Sequence, residues 1–524
     1  MTGNNGYITV DGKPFFILGG QVHNSSAYTK DNMAPLWDVL VRIHANTAEV
    51  PVYWEQIEPE EGAFDFRIVD DVIAGAREHE LRLILLWFAT WKNGTMKYTP
   101  GWVKAQPDRF RRVITADGFP LPVLSPHCPA TLAADTAAFR ALMEHIKGAD
   151  VGERTVIAVQ IENEPGSYGS ERDYSPEGNA LFAAEAPPAV MSLLPTIVPS
   201  GLHQAWAENG SRTGGAWVEV FGRRAAEVFN AWHVARYIDA IAEAARAVYD
   251  VPLYVNVWLS ENGFRDAGYD YPSGGAVSDM IPLWKAAAPH VDILAPDIYL
   301  PDSDSFRQIC AAYSRADNPL LIPECGLRPA TARQMFYAIA THKAIGIAPF
   351  GIDSLVDEDG AIVDTGVALV ESFAATRAIL SLIPQAQETG RLHAIVQEEG
   401  VVEQFIVLEG YNALVQFGLS WYGGRAPTRG GMETERGRGL LIQTGPKEFY
   451  VTGVGFTVYL RPITGVDRIL RAHPRRGQLD PWLLVEVGRF EGDRWVVEGR
   501  RGGDESDFGL VMAIPGQAVR AVFD

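Results

Sequence analysis

Eight short apolar runs punctuate the first part of the chain, and longer segments of helical period separate most of them. The runs are "FFILGGQ" (15–21), "ANTAEVPVYW" (45–54), "LRLILLWFA" (81–89), "TVIAVQIEN" (155–163), "PLYVNVWL" (252–259), "VDILAPDIYL" (291–300), "PLLIPECG" (319–326) and "AIGIAPFGI" (344–352). Most are near-continuous, not alternating, which is the pattern of parallel strands buried on both faces. Helical period fills 70–80, 135–149, 225–249, 331–344 and 367–383. Eight strands alternating with helices predict a (β/α)8 barrel, an α/β TIM-barrel fold with insertions, over residues 1–385. A doubly wound open sheet is the alternative. It wants a G-x-G-x-x-G turn after its first strand, and "LGGQVHNSS" has none.

Before the barrel, "YITVDGKPFF" (7–16) reads as a hairpin around Asp11-Gly12. The largest insertion, 166–222, follows strand 4 and carries Trp206 and Trp217. After a link through "PQAQETGR" (384–391), the character changes. "HAIVQEEGVVEQFIVLEGYNALVQFG", "KEFYVTGVGFTVYLRP" and "RWVVEGRRGG" are strand-like runs with closely spaced glycine turns. Residues 390–524 are therefore expected to form an all-β, sandwich-like accessory domain.

Charge narrows the partners. The 45 basic and 65 acidic residues leave a net charge of −20. Nucleic acids and anionic membranes call for basic surfaces, so neither is an expected partner. A carbohydrate substrate is, and a homodimer is left open. Cys128, Cys310 and Cys325 are an odd set without metal-ligand spacing, so no disulfide framework and no metal is expected. "MTGNNGYITVDGKPFF" lacks a charged segment followed by an apolar run, so the sequence as written suits the cytoplasm. A periplasmic or secreted site follows if a leader was removed.

Barrel enzymes deliver functional side chains from the C-terminal ends of their strands. Those ends offer His23 and Asn24, then Tyr53, Trp54, Glu55 and Glu58, then Trp91 and Lys92, then Glu162, Asn163 and Glu164. Further on they offer Asn256 and Trp258, Asp297 and Tyr299, Glu324, and finally Phe350 and Asp353. Carboxylates and aromatics dominate, with no G-x-S-x-G elbow and no phosphate-binding glycine loop. Two acids on different strands, among aromatics, suit glycoside hydrolysis: one protonates the leaving oxygen, and the other attacks the anomeric carbon or activates water. Glu164 and Glu324 are the natural pair. With period 2, Glu162 shares a strand face with Glu164. Spacing does not choose between them; position favours Glu164, nearer the mouth, and leaves Glu162 as a buried hydrogen-bonding acid.

These residues resemble a known family. "QIENEPGSYG" is similar to the acid/base motif of glycoside hydrolase family 35, the β-galactosidases, where ENEYGSY is typical. "DGKPFFILGGQVH", "ANTAEVPVYWEQIEPEEGAFDF" and "TPGWV" extend the likeness over roughly 1–375. The C-terminal region, on "RFEGDRWVVEGRRGGDE", resembles the accessory domain of a bacterial branch of such proteins. The resemblance implies a retaining clan A barrel with Glu164 as acid/base, Asn163 as partner of the sugar 2-hydroxyl, Glu324 as nucleophile and Tyr299 holding it. His23 stands where the family keeps a histidine. Pro165 replaces the motif's Tyr, Pro51 a sugar-contacting Tyr, Glu55 an Asn, and Thr90 a Glu; Trp91 is kept. "WKNG" places Lys92 and Asn93 near the site, as readers of a different sugar or a decoration on it, and Trp258 is a stacking candidate along with Trp91, Trp206 and Trp217. The expectation is a retaining exo-β-glycosidase without cofactor, β-galactosidase first. An arabinosidase or endo-glycanase of the clan, or an inactive glycan-binding protein, are the alternatives.

Overall fold

The computed structural model describes residues 6–197, 200–261, 264–418, 429–463, 482–507 and 509–523. The first five residues of the N-terminal stretch read above lie outside the described residues. The opening hairpin pairs Ile8–Val10 with Lys13–Phe15. Asp11 and Gly12 both take positive φ, 51° and 77°. That is the turn whose twist matches two antiparallel strands, and the reason an Asp-Gly pair sits there.

Eight parallel strands then close a barrel. They are β1 (Ile17–Gln21), β2 (Thr47–Tyr53), β3 (Arg82–Lys92), β4 (Val156–Asn163), β5 (Leu253–Trp258), β6 (Ile293–Ile298), β7 (Leu321–Cys325) and β8 (Gly346–Pro349). Each falls within one of the eight apolar runs except β3, which runs three residues further. Every residue of β2, β4, β6, β7 and β8 is buried. Two-sided burial is what makes these runs continuous: one face fills the barrel and the other meets the helices.

The principal helices are α1 (Lys30–Arg42), α2 (Arg67–Glu78), α3 (Pro129–Ala149), α4 (Ala225–Arg246), α5 (Ile281–Ala287), α6 (Ser303–Tyr313), α7 (Pro329–Ala340) and α8 (Asp364–Ala378), one after each strand. Their starts follow from local chemistry. Thr29 and Asp302 accept hydrogen bonds from the third residue on, Asn32 and Ser305, at the heads of α1 and α6. Proline occupies the first position of α3 and α7, where no N–H is needed. Among its described residues the insertion after β4 forms four short α-helices, among them Gly201–Glu208 and Trp217–Phe221, and a 3-10 turn at Leu194–Thr196. Strands Arg112–Ile114 and Pro120–Leu124 add a small hairpin between β3 and α3 that the strand pattern did not reveal.

Among the described residues the C-terminal region is antiparallel and all-β, in a six-stranded and a four-stranded sheet. Side chains from both sheets, including Ile395, Phe417, Phe449, Val458 and Val519, share one apolar core. The other face of the larger sheet, through Leu440, Ile442, Tyr450 and Ala518, joins the barrel's core. Two buried arginines stitch this seam. Arg333 of α7 donates to Ser303 at 3.0 Å, Glu398 at 2.6 Å and Glu433 at 3.0 Å. Arg438 donates to Glu371 of α8 at 2.5 Å and to Ser372 at 2.9 Å.

Candidate active site

The strand ends meet as a set of acids. Glu324 lies on β7, Asp297 on β6, and Glu164 directly follows β4. One carboxylate oxygen of each lies within 4.8 Å of the other two. All three are buried, at 6%, 3% and 6% exposure. The same spacing is that of a cation site, and among the described residues no other acid, histidine or cysteine set has it. A positive charge is already supplied by the buried ammonium of Lys92, which draws down the proton affinity of both Glu164 and Asp297.

Each acid is held by named donors. Tyr299 Oη donates to Glu324 Oε1 at 2.5 Å, and Gln21 Nε2 reaches Oε2 at 3.3 Å. Asn256 bridges two of the acids: its Oδ1 accepts from the Glu164 backbone N–H at 2.8 Å, and its Nδ2 donates to Asp297 Oδ2 at 2.7 Å. Asn93 Nδ2 donates to the Glu164 carboxylate. Burial first, and the charge of Glu324 second, push the Glu164 carboxyl up to about 7. Burial and the charges of Glu324 and Glu164 hold Asp297 well above the carboxylate range.

The segment 91–94 acts as a clasp on 162–164. The Trp91 N–H donates to Glu162 Oε2 at 2.6 Å. Lys92 Nζ donates to Asn163 Oδ1 at 2.9 Å. The Asn93 and Gly94 N–H groups donate to the carbonyls of Asn163 and Glu164, each at 3.1 Å. Lys92 and Asn93, expected to read sugar, are thus engaged with the strand-4 residues, and Asn163 keeps its Nδ2 without a partner. Between the pairs Trp87–Ile161 and Lys92–Asn163 the register breaks, so that four residues of β3 oppose one of β4. Glu162, inside this bulge, takes φ of 59°, and Glu164, just past its closing pair, takes 47°. Period 2 therefore fails here, and the two glutamates do not share a face. Glu162 turns to the helix layer, where Asp135 of α3 and Tyr237 of α4 face it, and burial with the Asp135 charge raises its pKa strongly.

Other expected site residues are placed as follows. His23 sits at the mouth, edge-on to Phe350 at 5.1 Å, with Nε2 2.9 Å from Ser354 Oγ and its N–H on Asp353. A Cβ at Gly351 would come within 2.6 Å of that ring, so the glycine makes room for it. Trp258 stacks on Tyr168, 5.7 Å between centroids and 21° between planes. Glu55 lies on the short helix Trp54–Ile57 and meets Tyr28 at 3.3 Å and Lys104 at 3.4 Å. Trp91 is corrected: its fully buried ring packs on Tyr237 of α4 at 4.7 Å, because the β3 bulge turns it to the helix layer. Trp206 and Trp217 are likewise packing residues of the insertion. Trp206 donates to the Arg212 carbonyl at 2.7 Å, and Trp217 rests on Phe229.

Sequence reasoning underrated four residues. Asp297 and Asn256 were visible at strand ends but carried no assigned role. Gln21 closes the first apolar run. Glu49 is a lone acid inside the second, fully buried below Glu324, and raised strongly by burial and that neighbour's charge. A charge inside a two-sided apolar run was the available signal for it.

A parallel barrel with paired carboxyls at its C-terminal mouth defines the class, a glycoside-hydrolase-type barrel. Residues 28–210 match the model of glycoside hydrolase family 42, described as beta-galactosidase. Residues 369–513 match a model described as a domain of unknown function, DUF5597. A curated beta-galactosidase of Xanthomonas manihotis is 31% identical over 183 residues, 33% of this chain and 27% of that protein. The chain thus spans about a quarter of the length of that curated relative. The catalytic domain of a beta-amylase from Paenibacillus polymyxa shares the fold with a TM-score of 0.51 at 14% identity, over 68% of this chain and 97% of that one. The barrel is therefore β-galactosidase-like, of the clan A glycosidase type. Family 42 is a different family from family 35, so the motif's resemblance is supported at the level of β-galactosidase and clan, not of family 35. The matched segment contains Glu164 and ends before Asp297 and Glu324.

Proposed function

We propose that the protein is a retaining exo-β-glycosidase that releases terminal β-D-galactosyl residues. The observation that carries this is that one carboxylate oxygen of Glu164 and one of Glu324 lie within 4.8 Å of each other. Retaining enzymes hold their two carboxyls about 5–5.5 Å apart, whereas inverting ones leave about 6.5–9.5 Å for a water between them. Glu324, oriented by Tyr299, attacks the anomeric carbon while Glu164 gives its proton to the leaving oxygen. Water then transfers a proton to Glu164 and displaces Glu324 from the sugar. Asn163 offers its free Nδ2 to the glycone, and His23 and Trp258 line the mouth. Glu324→Ala should abolish turnover of an aryl β-galactoside, and added azide should restore it as a glycosyl azide of inverted configuration. Wild-type activity in this variant would remove the assignment.

Pro51, Thr90 and Pro165 depart from the resembled motif at sugar-reading positions, which favours another clan A activity, an arabinosidase or an endo-glycanase, as the second reading. A panel of aryl glycosides separates the two: β-galactoside ranking below the others rejects galactose as the glycone and leaves the acid pair intact. A glycan-binding protein without activity is disfavoured by the presence of both acids.

A further inference from the structure

Three acids meet where double displacement uses two. Asp297 is 3% exposed; its Oδ2 is taken by Asn256, its Oδ1 meets no N–H or hydroxyl donor, and a side-chain hydrogen bond joins its carboxyl to that of Glu164. Its backbone lies beside Glu324 on one side and Trp258 on the other. The groups facing it are Glu164 after β4, Glu324 on β7, Lys92 on β3, Tyr254 on β5, Tyr299 on β6, Cys325 on β7 and Tyr313 on α6. Burial raises the three tyrosines and the thiol, so they are neutral near pH 7. Lys92 is the one positive charge among these groups, and Glu49 lies behind Glu324.

Counting charge through the proposed cycle assigns Asp297 a state. Before reaction Glu324 is ionised and Glu164 carries the proton. After the first displacement a Glu324 oxygen is bonded to the anomeric carbon, and Glu164, having given its proton to the leaving oxygen, is ionised. Water then returns a proton to Glu164 as the Glu324–sugar bond breaks. One carboxylate is present in each resting state, and Lys92 balances one. A second carboxylate in this buried pocket would stand uncompensated, and like charges this close do not both ionise.

Resting on the retaining reading above, we propose that Asp297 is a positioning residue that stays protonated throughout the cycle. Its proton is held toward Glu164, which it hydrogen-bonds in this structure, so that the carboxylate Glu164 becomes after the first displacement is met by a donor. Asn256 fixes the other oxygen and so aims the donor. The Asp297 proton is not transferred; it stabilises the charge as the charge changes place, as preorganised donors do.

The test compares Asp297→Asn with Asp297→Ala in the full chain. Asparagine is neutral and can donate from the same place. Asp297→Asn should keep kcat/KM on an aryl glycoside within about fivefold, with the alkaline limb of the pH profile unmoved. Asp297→Ala should slow both the glycosylation and deglycosylation steps about 100-fold in single-turnover measurements. Infrared spectra at pH 7 should show a protonated-carboxyl band that Asp297→Asn removes. An alkaline limb displaced by a pH unit or more in Asp297→Asn, unchanged step rates in folded Asp297→Ala, or no band lost would each overturn the proposal. Should the wild-type chain hydrolyse no glycoside, the functional reading fails by itself, and the infrared band still decides the Asp297 proton.

Discussion

Glu162 and Glu164 both occupy the left-handed region, which costs an ordinary residue about 1–3 kcal/mol. Only a surrounding network that over-determines the backbone keeps them there, and the 91–94 segment is that network. From the residues alone, Glu164 could be preferred to Glu162 by position, and the structure gives the two different surroundings. The reason lies in backbone angles that no side-chain pattern encodes, since period 2 assumes an unbroken strand. Their substitutions should separate accordingly. Glu162→Ala leaves the buried Trp91 N–H without an acceptor and should destabilise the fold by about 1–3 kcal/mol, read as a lower Tm. Glu164→Ala should keep Tm and lose activity, least on substrates with good leaving groups. In the proposed mechanism Glu164 holds a proton for the first step, and its pKa is raised from 4.5 to about 7. The protonated form is therefore complete well below 7 and lost above it, so kcat/KM should fall as pH rises through about 7. A profile flat from pH 5 to 9 would contradict that assignment.

Among the elements, the barrel strands were the most legible feature, because burial on both faces leaves a continuous apolar signature. The hairpin 112–124 escaped because it is short and lies partly on the surface, where its pattern "RVITADGFPLPVL" carries proline and charge. Lysine and asparagine at the end of β3 suit contact with a sugar, and the bulge also lays Trp91 to Gly94 along β4. Gly94 takes φ of 63°, and a Cβ there would meet Pro272 at 2.9 Å and Tyr168 at 3.1 Å, so the clasp can close only with glycine. Asn93 donates to Glu164 and thereby favours its charged form. Asn93→Ala removes that donor, so Glu164 should hold its proton to higher pH. The alkaline limb should move up while kcat/KM at its maximum falls. A limb that moves down, or stays with activity unchanged, would place Asn93 outside the acid/base machinery.

At the scale of the whole molecule, the C-terminal sheets are built onto the barrel's last helices. The all-β character of this region was readable from its glycine turns and short strands, but the seam was not, because contacts between distant segments leave no local period. Arg333 of α7 is 2% exposed and answers two glutamates of the C-terminal region, Glu398 and Glu433. Their side chains are about a third exposed, at 36% and 37%, so only the arginine is fully withdrawn from water. Removing one partner of such a buried set leaves charges without answer, at a cost of about 3–5 kcal/mol when all are buried and less here. Arg333→Ala should therefore lower Tm measurably. It should also raise protease sensitivity in the 398–433 region, while kcat per folded molecule on an aryl glycoside stays near wild type, since α7 carries no group of the acid cluster. Replacing Glu398 and Glu433 together with glutamine should restore part of the lost stability in the Arg333→Ala background. A drop in kcat larger than the loss of folded protein would instead make the seam part of the active barrel, with α7 transmitting the position of the C-terminal sheets to Glu324 at the end of β7.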